Sequence, residues 1–335
     1  MARWAHACVT LALSALLAGC GDSPAEKQWR DYHQQLATDL ARADIDKTDI
    51  DRAAPANIGA FPDRKDRLID IPETRDSILN VYALRECQIT SLIAARNNQL
   101  GRVAPPSQQW LYERTLWQRL SVCSHSDVAD QLNPEDQERL QQLTATKTAQ
   151  LSAVSWNAIF DSSEWIKSFS RSSQPLANVD KAVIAGHLEA IDYLQEMTVH
   201  QFDLDWQQNS SVLENHLKTL QERPLTAEIL RALLLATQRL AEENTLLTQQ
   251  SDTPMRCLTP WNLQPLEDLA NTAHEWLTAI NRLIDAQQVD KPAAVQRYQV
   301  RWLSLQYPGA PWQQFQQALS EHKALRARFA ACTTN

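Results

Sequence analysis

Glycine is scarce in this chain, which has only six glycines among its 335 residues. A β-sandwich or a doubly wound α/β fold needs more glycine for its turns and phosphate-binding loops. The sequence also contains no convincing run of alternating β-branched residues, the pattern that is typical of a half-buried strand. Both absences argue against a fold built on a sheet.

The common catalytic motifs are missing as well. The sequence contains no G-x-S-x-G, no H-E-x-x-H and no glycine-rich phosphate loop. It therefore indicates no particular enzyme and no cofactor, and we interpret the chain as leaning towards a non-enzymatic role. Basic runs are also absent, and the formal net charge is −8. This acidity argues against nucleic acid and against an anionic membrane surface as partners.

The N-terminus predicts export. Arg3 precedes an apolar run from Cys8 to Ala18, which is shorter than the roughly 20 residues that a membrane-spanning helix needs. The run ends in Leu16-Leu17-Ala18-Gly19-Cys20, which resembles the lipobox of bacterial lipoproteins. We therefore predict a signal peptide over residues 1–19, with the alternative that this is an ordinary secretory signal and the cysteine is incidental.

By this resemblance, Cys20 becomes the first residue of the mature protein. Its thiol then carries a diacylglycerol and its amine an acyl chain such as palmitate, and two or more chains give stable membrane anchoring. The next residue is Gly21 and not aspartate, which resembles the sorting pattern of outer-membrane lipoproteins. The predicted location is the periplasmic face of the outer membrane.

The mature part predicts an all-α fold. Glutamine, leucine and alanine are abundant, and apolar residues recur at helical spacing through most of the chain. We expect antiparallel helical hairpins packed as a bundle, with a long irregular loop near residues 44–70. The serine-rich stretch 170–178 is the best candidate linker between an N-terminal half (20–170) and a C-terminal half (179–335), although the two could form one continuous domain.

Two arginines stand out in the strongest predicted helix, which should run from Pro72 to about Asn98. Arg85 and Arg96 fall within its apolar arc, where a charge must be paired or must reach a cavity. One interpretation is a buried ion pair with an acidic residue of another helix. The other is an arginine pair that lines a pocket for a carboxylate or phosphate.

A distinctive turn follows this helix. In the stretch 96–108, Gly101 is a candidate helix C-cap and Ser107 a candidate cap of the next helix, which is rich in aromatic residues. From about Leu84 to Cys123 the sequence resembles a family of proteobacterial lipoproteins with a domain of unknown function. The resemblance implies no activity, cofactor or catalytic residue.

Metal binding has one weak candidate. Asp192, Glu196 and His200 are spaced four residues apart and share a helix face, a spacing that suits metal ligands and equally suits helix-stabilising pairs. No matching pair occurs elsewhere, so we predict no metal site. His322, on the apolar face of the last helix beside Arg326, is better explained as a core histidine with satisfied hydrogen bonds than as a catalyst.

Four cysteines remain after processing, and an even number in an exported protein suggests two disulfides with three possible pairings. If a tight turn joins antiparallel helices, Cys87 lies roughly 17 Å below the turn and Cys123 roughly 24 Å down the returning helix. These heights are comparable, so we predict the bridge Cys87–Cys123. Cys257 then pairs with Cys332.

Two functional hypotheses follow. The first is a non-enzymatic lipoprotein whose long helical surface, rich in exposed glutamine and tryptophan, binds an envelope protein, peptidoglycan or a lipid. The alternative is an envelope hydrolase with a site between helices. A deep cleft holding a glutamate with a raised pKa would favour the hydrolase, and a flat groove lined by tryptophan would favour the binding protein.

Overall fold

The structure is a computed structural model that describes residues 23–41, 52–74, 77–178, 180–249 and 257–332. The predicted signal peptide (1–19) and Cys20 lie outside these residues. Within them, the regular secondary structure is helical, and β-type pairing is limited to an isolated parallel bridge between Leu258 and Ala331. The predicted all-α fold is confirmed.

The first part of the chain contains both short and long helices. They are α1 (Pro24–Ala41), α2 (Arg64–Arg67), α3 (Ile78–Ala83), a 3-10 turn (Arg85–Cys87), α4 (Thr90–Asn97), α5 (Gln99–Arg102), α6 (Pro106–Ser124), α7 (Asp127–Gln131), α8 (Pro134–Phe160) and α9 (Ser163–Ser168).

The second part is built mainly from long helices. They are α10 (Lys181–Val199), α11 (Ser210–Glu222), α12 (Leu225–Gln249), α13 (Gln264–Ala286), α14 (Ala293–Tyr298), a π-helical turn (Gln299–Leu303) and α15 (Pro311–Arg326). None of the described helices is long and apolar enough to cross a membrane.

The long helices pack as neighbouring pairs. Helix α6 packs against α8, α10 against both α11 and α13, and α12 against α15. The amphipathic pattern explains these contacts, because the apolar sides of these helices face one another. On α13 the apolar face is buried in full: Leu266, Leu269, Ala273, Trp276, Ile280, Leu283 and Ile284. Each such leucine or isoleucine contributes about 1.5–3 kcal/mol by leaving water.

The largest hydrophobic core draws residues from both sides of the serine-rich stretch 170–178, from Trp29 in α1 to Leu319 in α15. The division into halves at 170 and 179 stays a prediction. Most tryptophans lie inside this core, which contradicts the expected tryptophan-rich surface. Those with less than a tenth of their surface exposed are Trp29, Trp110, Trp117, Trp156, Trp165, Trp276 and Trp312.

Several helix starts follow the capping signals in the sequence. The side chains of Asn133 and Asp180 accept hydrogen bonds from backbone N–H groups in the first turns of α8 and α10. Two other expected caps are wrong. Gly101 lies inside α5, where its N–H donates to the Asn98 side chain, and Ser107 lies inside α6, which Pro105 precedes.

The predicted helix from Pro72 to Asn98 is also wrong in its extent. It begins only at Ile78 after the capping residue Ser77, and it breaks after the 3-10 turn. The break is at Gln88, whose φ of 57° places it in the left-handed region. A left-handed residue cannot continue a right-handed helix, so α3 and α4 are separate elements.

The described part of the predicted loop 44–70 is irregular apart from α2, as expected, and it is fixed against the end of α8. Asn157 donates to the backbone oxygen of Ile69 (2.7 Å) and accepts from its N–H (2.9 Å). Buried Arg67 donates to the backbone oxygen of Phe160 (2.8 Å) and pairs with Asp161 (3.1 Å). These bonds hold residues 64–69 beside α8.

Both predicted disulfides are confirmed. Cys87 is joined to Cys123, with 5.3 Å between their Cα atoms, and Cys257 to Cys332, with 4.8 Å. The first bridge ties the 3-10 turn to the end of α6. The second ties the C-terminus to the segment before α13, where Leu258 and Ala331 form the isolated bridge.

Candidate functional site

A groove with a volume of about 1070 Å³ runs along the α6–α8 pair. Residues from Pro106 to Leu116 of α6 and from Leu143 of α8 to Asp161 form its floor. The opposite wall consists of residues 68–74 and of the stretch 80–102. Since a helix rises 1.5 Å per residue, the α8 side of the groove is roughly 27 Å long. The volume of the groove lies just above the roughly 300–1,000 Å³ that is usual for small-molecule sites.

About half of the residues that line the groove are apolar. They come from the loop, from α3 to α6 and from α8: Leu68, Ile71, Pro72, Val81, Tyr82, Leu84, Ile89, Ile93, Ala94, Pro106, Tyr112, Leu116, Leu143, Val154 and Ala158. The other half is polar or charged, so the lining suits a ligand that has both an apolar and a polar part.

The carboxylates on the floor are paired with cations. Lys147 Nζ lies 2.9 Å from Glu113 Oε2, and both side chains are mostly buried. At the far end, Arg64 binds Asp161 through several hydrogen bonds of 2.9–3.0 Å. Neither carboxylate therefore has the isolated apolar surroundings of a carboxylic acid that donates a proton in hydrolysis.

Arg96 lines the groove, as one of the two sequence interpretations expected. Its Nη1 donates to the backbone oxygen of Gly101 at 2.6 Å, and its guanidinium lies 5.9 Å from the centre of the Tyr112 ring. Burial raises the pKa of the Tyr112 hydroxyl, so this group stays protonated. Arg102, on the same stretch, also lines the groove.

Arg85 is placed differently from either expectation. About half of its side chain is exposed, and it forms an ion pair of 3.4 Å with the adjacent Glu86. Its guanidinium also lies 4.7 Å from the centre of the Tyr82 ring. Arg85 is therefore neither in a buried pair with another helix nor among the residues that line the groove. The physical reason is the break at Gln88, which rotates the Arg85 side of the segment away from Arg96.

The groove contains an unusual hydroxyl. Among the described residues, Thr90 Oγ1 is buried but has no hydrogen-bond partner, and Thr90 lines the groove. A buried hydroxyl without a partner costs about 1–3 kcal/mol. The oxygen has almost no accessible surface, so a ligand in the groove does not reach it.

The weak metal candidate is surface-exposed. Asp192, Glu196 and His200 border a shallow depression of about 330 Å³. Asp192 pairs with Arg282 at 2.6 Å, and His200 lies 3.4 Å from Asp203. In the described ranges, no group of three histidine, cysteine or carboxylate side chains is placed to hold a metal ion. Asp192 thus pairs with another helix and His200 with the turn after α10, so neither pair is the one along a single helix face that the spacing suggested.

His322 is fully buried in a polar cluster between α1, α12 and α15. Its Nε2 lies 2.6 Å from the Tyr32 hydroxyl and its Nδ1 lies 2.6 Å from Asn244 Oδ1. Arg326 Nη1 donates to the same Tyr32 hydroxyl at 2.9 Å. The cluster joins the first helix to the last, which agrees with the interpretation of a core histidine.

Sequence reasoning missed the Lys147–Glu113 pair and the wall formed by residues 68–74. Lys147 carried a usable signal, because it is the only charged residue between Leu140 and Phe160. A single lysine in an otherwise uncharged helical stretch must find a partner or a polar cavity. The wall carried no such signal, since its position depends on contacts with the distant α8.

The comparisons with known proteins place the chain in a family without assigning an activity. The sequence profile of DUF3080, described as a protein of unknown function, matches residues 29–272. No curated protein and no solved structure matches the chain significantly. The profile covers well over half of the chain, including all of the groove, and the chain belongs to the DUF3080 family.

Proposed function

We propose that this protein is a lipid-anchored, non-enzymatic binding protein on the periplasmic face of the bacterial outer membrane. The groove between α6, α8 and the stretch 80–102 is its binding site. The observation that carries the proposal is the groove itself, which combines a volume of about 1070 Å³ with a lining of both apolar and polar side chains.

Two features support the lipid anchor: the sequence around Cys20 and the position of α1. Only three residues separate Cys20 from Pro24, where α1 begins. Helix α1 is bound to the rest of the protein by the Tyr32–His322 hydrogen bond and by His33, which lies 2.9 Å from buried Glu243. Acylation of Cys20 would therefore hold the folded body close to the bilayer.

Binding fits the groove better than hydrolysis does. Glu113 and Asp161 are both held in ion pairs, with Lys147 and Arg64. Tryptophan is absent from the described lining, so the ligand contacts are aliphatic side chains, two tyrosines and arginine rather than the tryptophan surface that we expected. An envelope protein, peptidoglycan or a lipid remain the classes of ligand to be separated by experiment.

In-cell photocrosslinking tests the proposal. A benzophenone amino acid at Ala94, which lines the groove, is compared with the same substitution at Ala95, its exposed neighbour that does not. We expect a specific adduct only from position 94, and mass spectrometry identifies its class. Equal adducts from both positions, or none from position 94, would show that the groove is not a binding site.

A further inference from the structure

We infer that the groove binds a single-chain amphiphile, a molecule with one acyl chain and an anionic headgroup that is a carboxylate or a phosphate. The inference rests on the proposed function and names its ligand class. Two features of the lining support it: partly exposed apolar side chains along its length and a small surplus of positive charge.

Partly exposed apolar side chains lie along the length that an acyl chain needs. They include Ile71, Val81 and Ile93 on one wall, and Leu143 and Val154 of α8 on the floor. The α8 side extends over roughly 27 Å. Burial of each methylene group of a chain there is favourable by about 0.8 kcal/mol.

The charges of the lining favour an anion. It contains four cations and three carboxylates, although the chain as a whole has a net charge of −8. Lys147 is paired with Glu113, and Arg64 shares Asp161 with Arg67, which lies outside the lining. Arg96 and Arg102, on one short stretch, then stand against one further carboxylate, Glu73. The lining therefore carries one surplus positive charge, and a guanidinium can bind carboxylate or phosphate through two hydrogen bonds.

The rim completes the site. Exposed apolar side chains flank the groove on the same stretches, with about four-fifths of the surface of Leu79 and Leu100 open to solvent. Such exposed side chains are typical of interaction surfaces. Here they would contact the acyl chain of the ligand as the ligand leaves a bilayer.

The test measures binding to the full chain with Cys20→Ala, so that no attached lipid competes. The probes are palmitate, lysophosphatidylglycerol and an uncharged monoacylglycerol of the same chain length. We expect one molecule of an anionic probe to bind per chain, with the monoacylglycerol roughly tenfold weaker. Preference between palmitate and the lysophospholipid shows whether the headgroup is a carboxylate or a phosphate.

Two matched pairs of variants locate the site. Arg96→Gln should weaken the anionic probes roughly tenfold and leave the monoacylglycerol unchanged, whereas Arg85→Gln should change neither, because Arg85 lies outside the lining. Glutamine can still donate to the Gly101 oxygen, which protects the fold. Ala94→Trp should abolish binding of all three probes by filling the groove, whereas Ala95→Trp should not.

The inference is overturned if no probe binds, or if Arg96→Gln and Arg85→Gln have the same effect. A specific crosslink from position 94 to a protein or to peptidoglycan, with no binding of amphiphiles, would overturn this inference and leave the proposed function standing. Absence of both the crosslink and the binding would refute the two together.

Discussion

The imidazole of His322 forms hydrogen bonds that fit only its neutral form. Asn244 is oriented by the bond from its Nδ2 to the backbone oxygen of Ala318 (3.3 Å), so its Oδ1 faces His322 and accepts from Nδ1–H. Nε2 then accepts from the Tyr32 hydroxyl, which in turn accepts from Arg326. Burial, and then the charge of Arg326, lowers the pKa of His322 to about 3.

This low pKa predicts how stability depends on pH. An unfolded histidine has a pKa near 6.5, so between about pH 6.5 and pH 3 the unfolded state binds more protons than the folded state. Stability should therefore rise with pH across this window and fall on acidification, with a contribution of at most about 1.4 kcal/mol per pH unit. Urea unfolding at a series of pH values measures the slope.

The matched variant for this prediction is His322→Gln, which removes the titrating group and keeps hydrogen-bonding capacity. Measurements between about pH 4 and pH 6 cover the middle of the window. There, the free energy of unfolding of the variant should vary less steeply with pH than that of the unchanged protein. Equal slopes for the two proteins would mean that His322 does not titrate as its surroundings indicate.

At the scale of the elements, the segment between Ser77 and Arg102 departs most from the sequence prediction. Its apolar periodicity is continuous through Gln88, but the backbone turns left-handed there. The Gln88 backbone oxygen accepts a hydrogen bond from Arg119, and the bridge Cys87–Cys123 fixes the preceding residue to α6. Contacts with α6 therefore override the local preference for helix.

A glycine at position 88 should stabilise the protein. Glycine adopts a positive φ without the steric cost that a side chain brings, which is about 1 kcal/mol. Gln88→Gly should therefore raise the free energy of unfolding by up to about 1 kcal/mol, and Gln88→Val should lower it. Chemical denaturation compares the three proteins. If Gln88→Gly destabilises as much as Gln88→Val does, the backbone at this position is not left-handed.

The bridge Cys87–Cys123 should contribute strongly to the stability of the same segment. It closes a loop of 36 residues, which corresponds to about 4 kcal/mol in the chain-entropy estimate. It also lies in a small cluster with Leu84, Ile89 and Leu120, separate from the main core. The double change Cys87→Ser and Cys123→Ser should therefore lower stability and expose residues 77–103 first.

Hydrogen exchange checks this expectation, because amides of residues 77–103 should exchange faster in the double variant while those of α13 remain protected. Uniformly faster exchange in both regions would contradict a local role for the bridge. Peptide mapping without reduction provides a control, since it should show only Cys87–Cys123 and Cys257–Cys332 in the unchanged chain.

The sequence predicts the helices, several caps and both disulfides, because these depend on local patterns and on simple helix geometry. It identifies one groove residue, Arg96, for the correct reason, a charge on an apolar helix face. It cannot predict the groove, whose opposite wall is set by bonds such as Asn157–Ile69 between residues 88 positions apart. Nor can the sequence show that Arg96 lines the groove and Arg85 does not, because the left-handed turn at Gln88 has no local signal.

At the scale of the whole molecule, the proposed anchor makes a prediction about location. If Cys20 carries lipid, the protein should partition into the detergent phase, and Cys20→Ala should yield an unprocessed precursor or a released protein. Two or more acyl chains give the stable anchoring that this change removes. Fractionation with phase separation measures the outcome. Normal processing of the Cys20→Ala protein and its recovery with the outer membrane would contradict lipidation.

The central claim is that the groove of the intact protein holds a ligand in the cell. Native mass spectrometry of the protein isolated from its own membranes tests this most directly, with Ala94→Trp and Ala95→Trp isolated in parallel. We expect an additional bound mass on the unchanged protein and on Ala95→Trp, and its loss from Ala94→Trp. The same bound mass on all three proteins, or none on any, would contradict the claim.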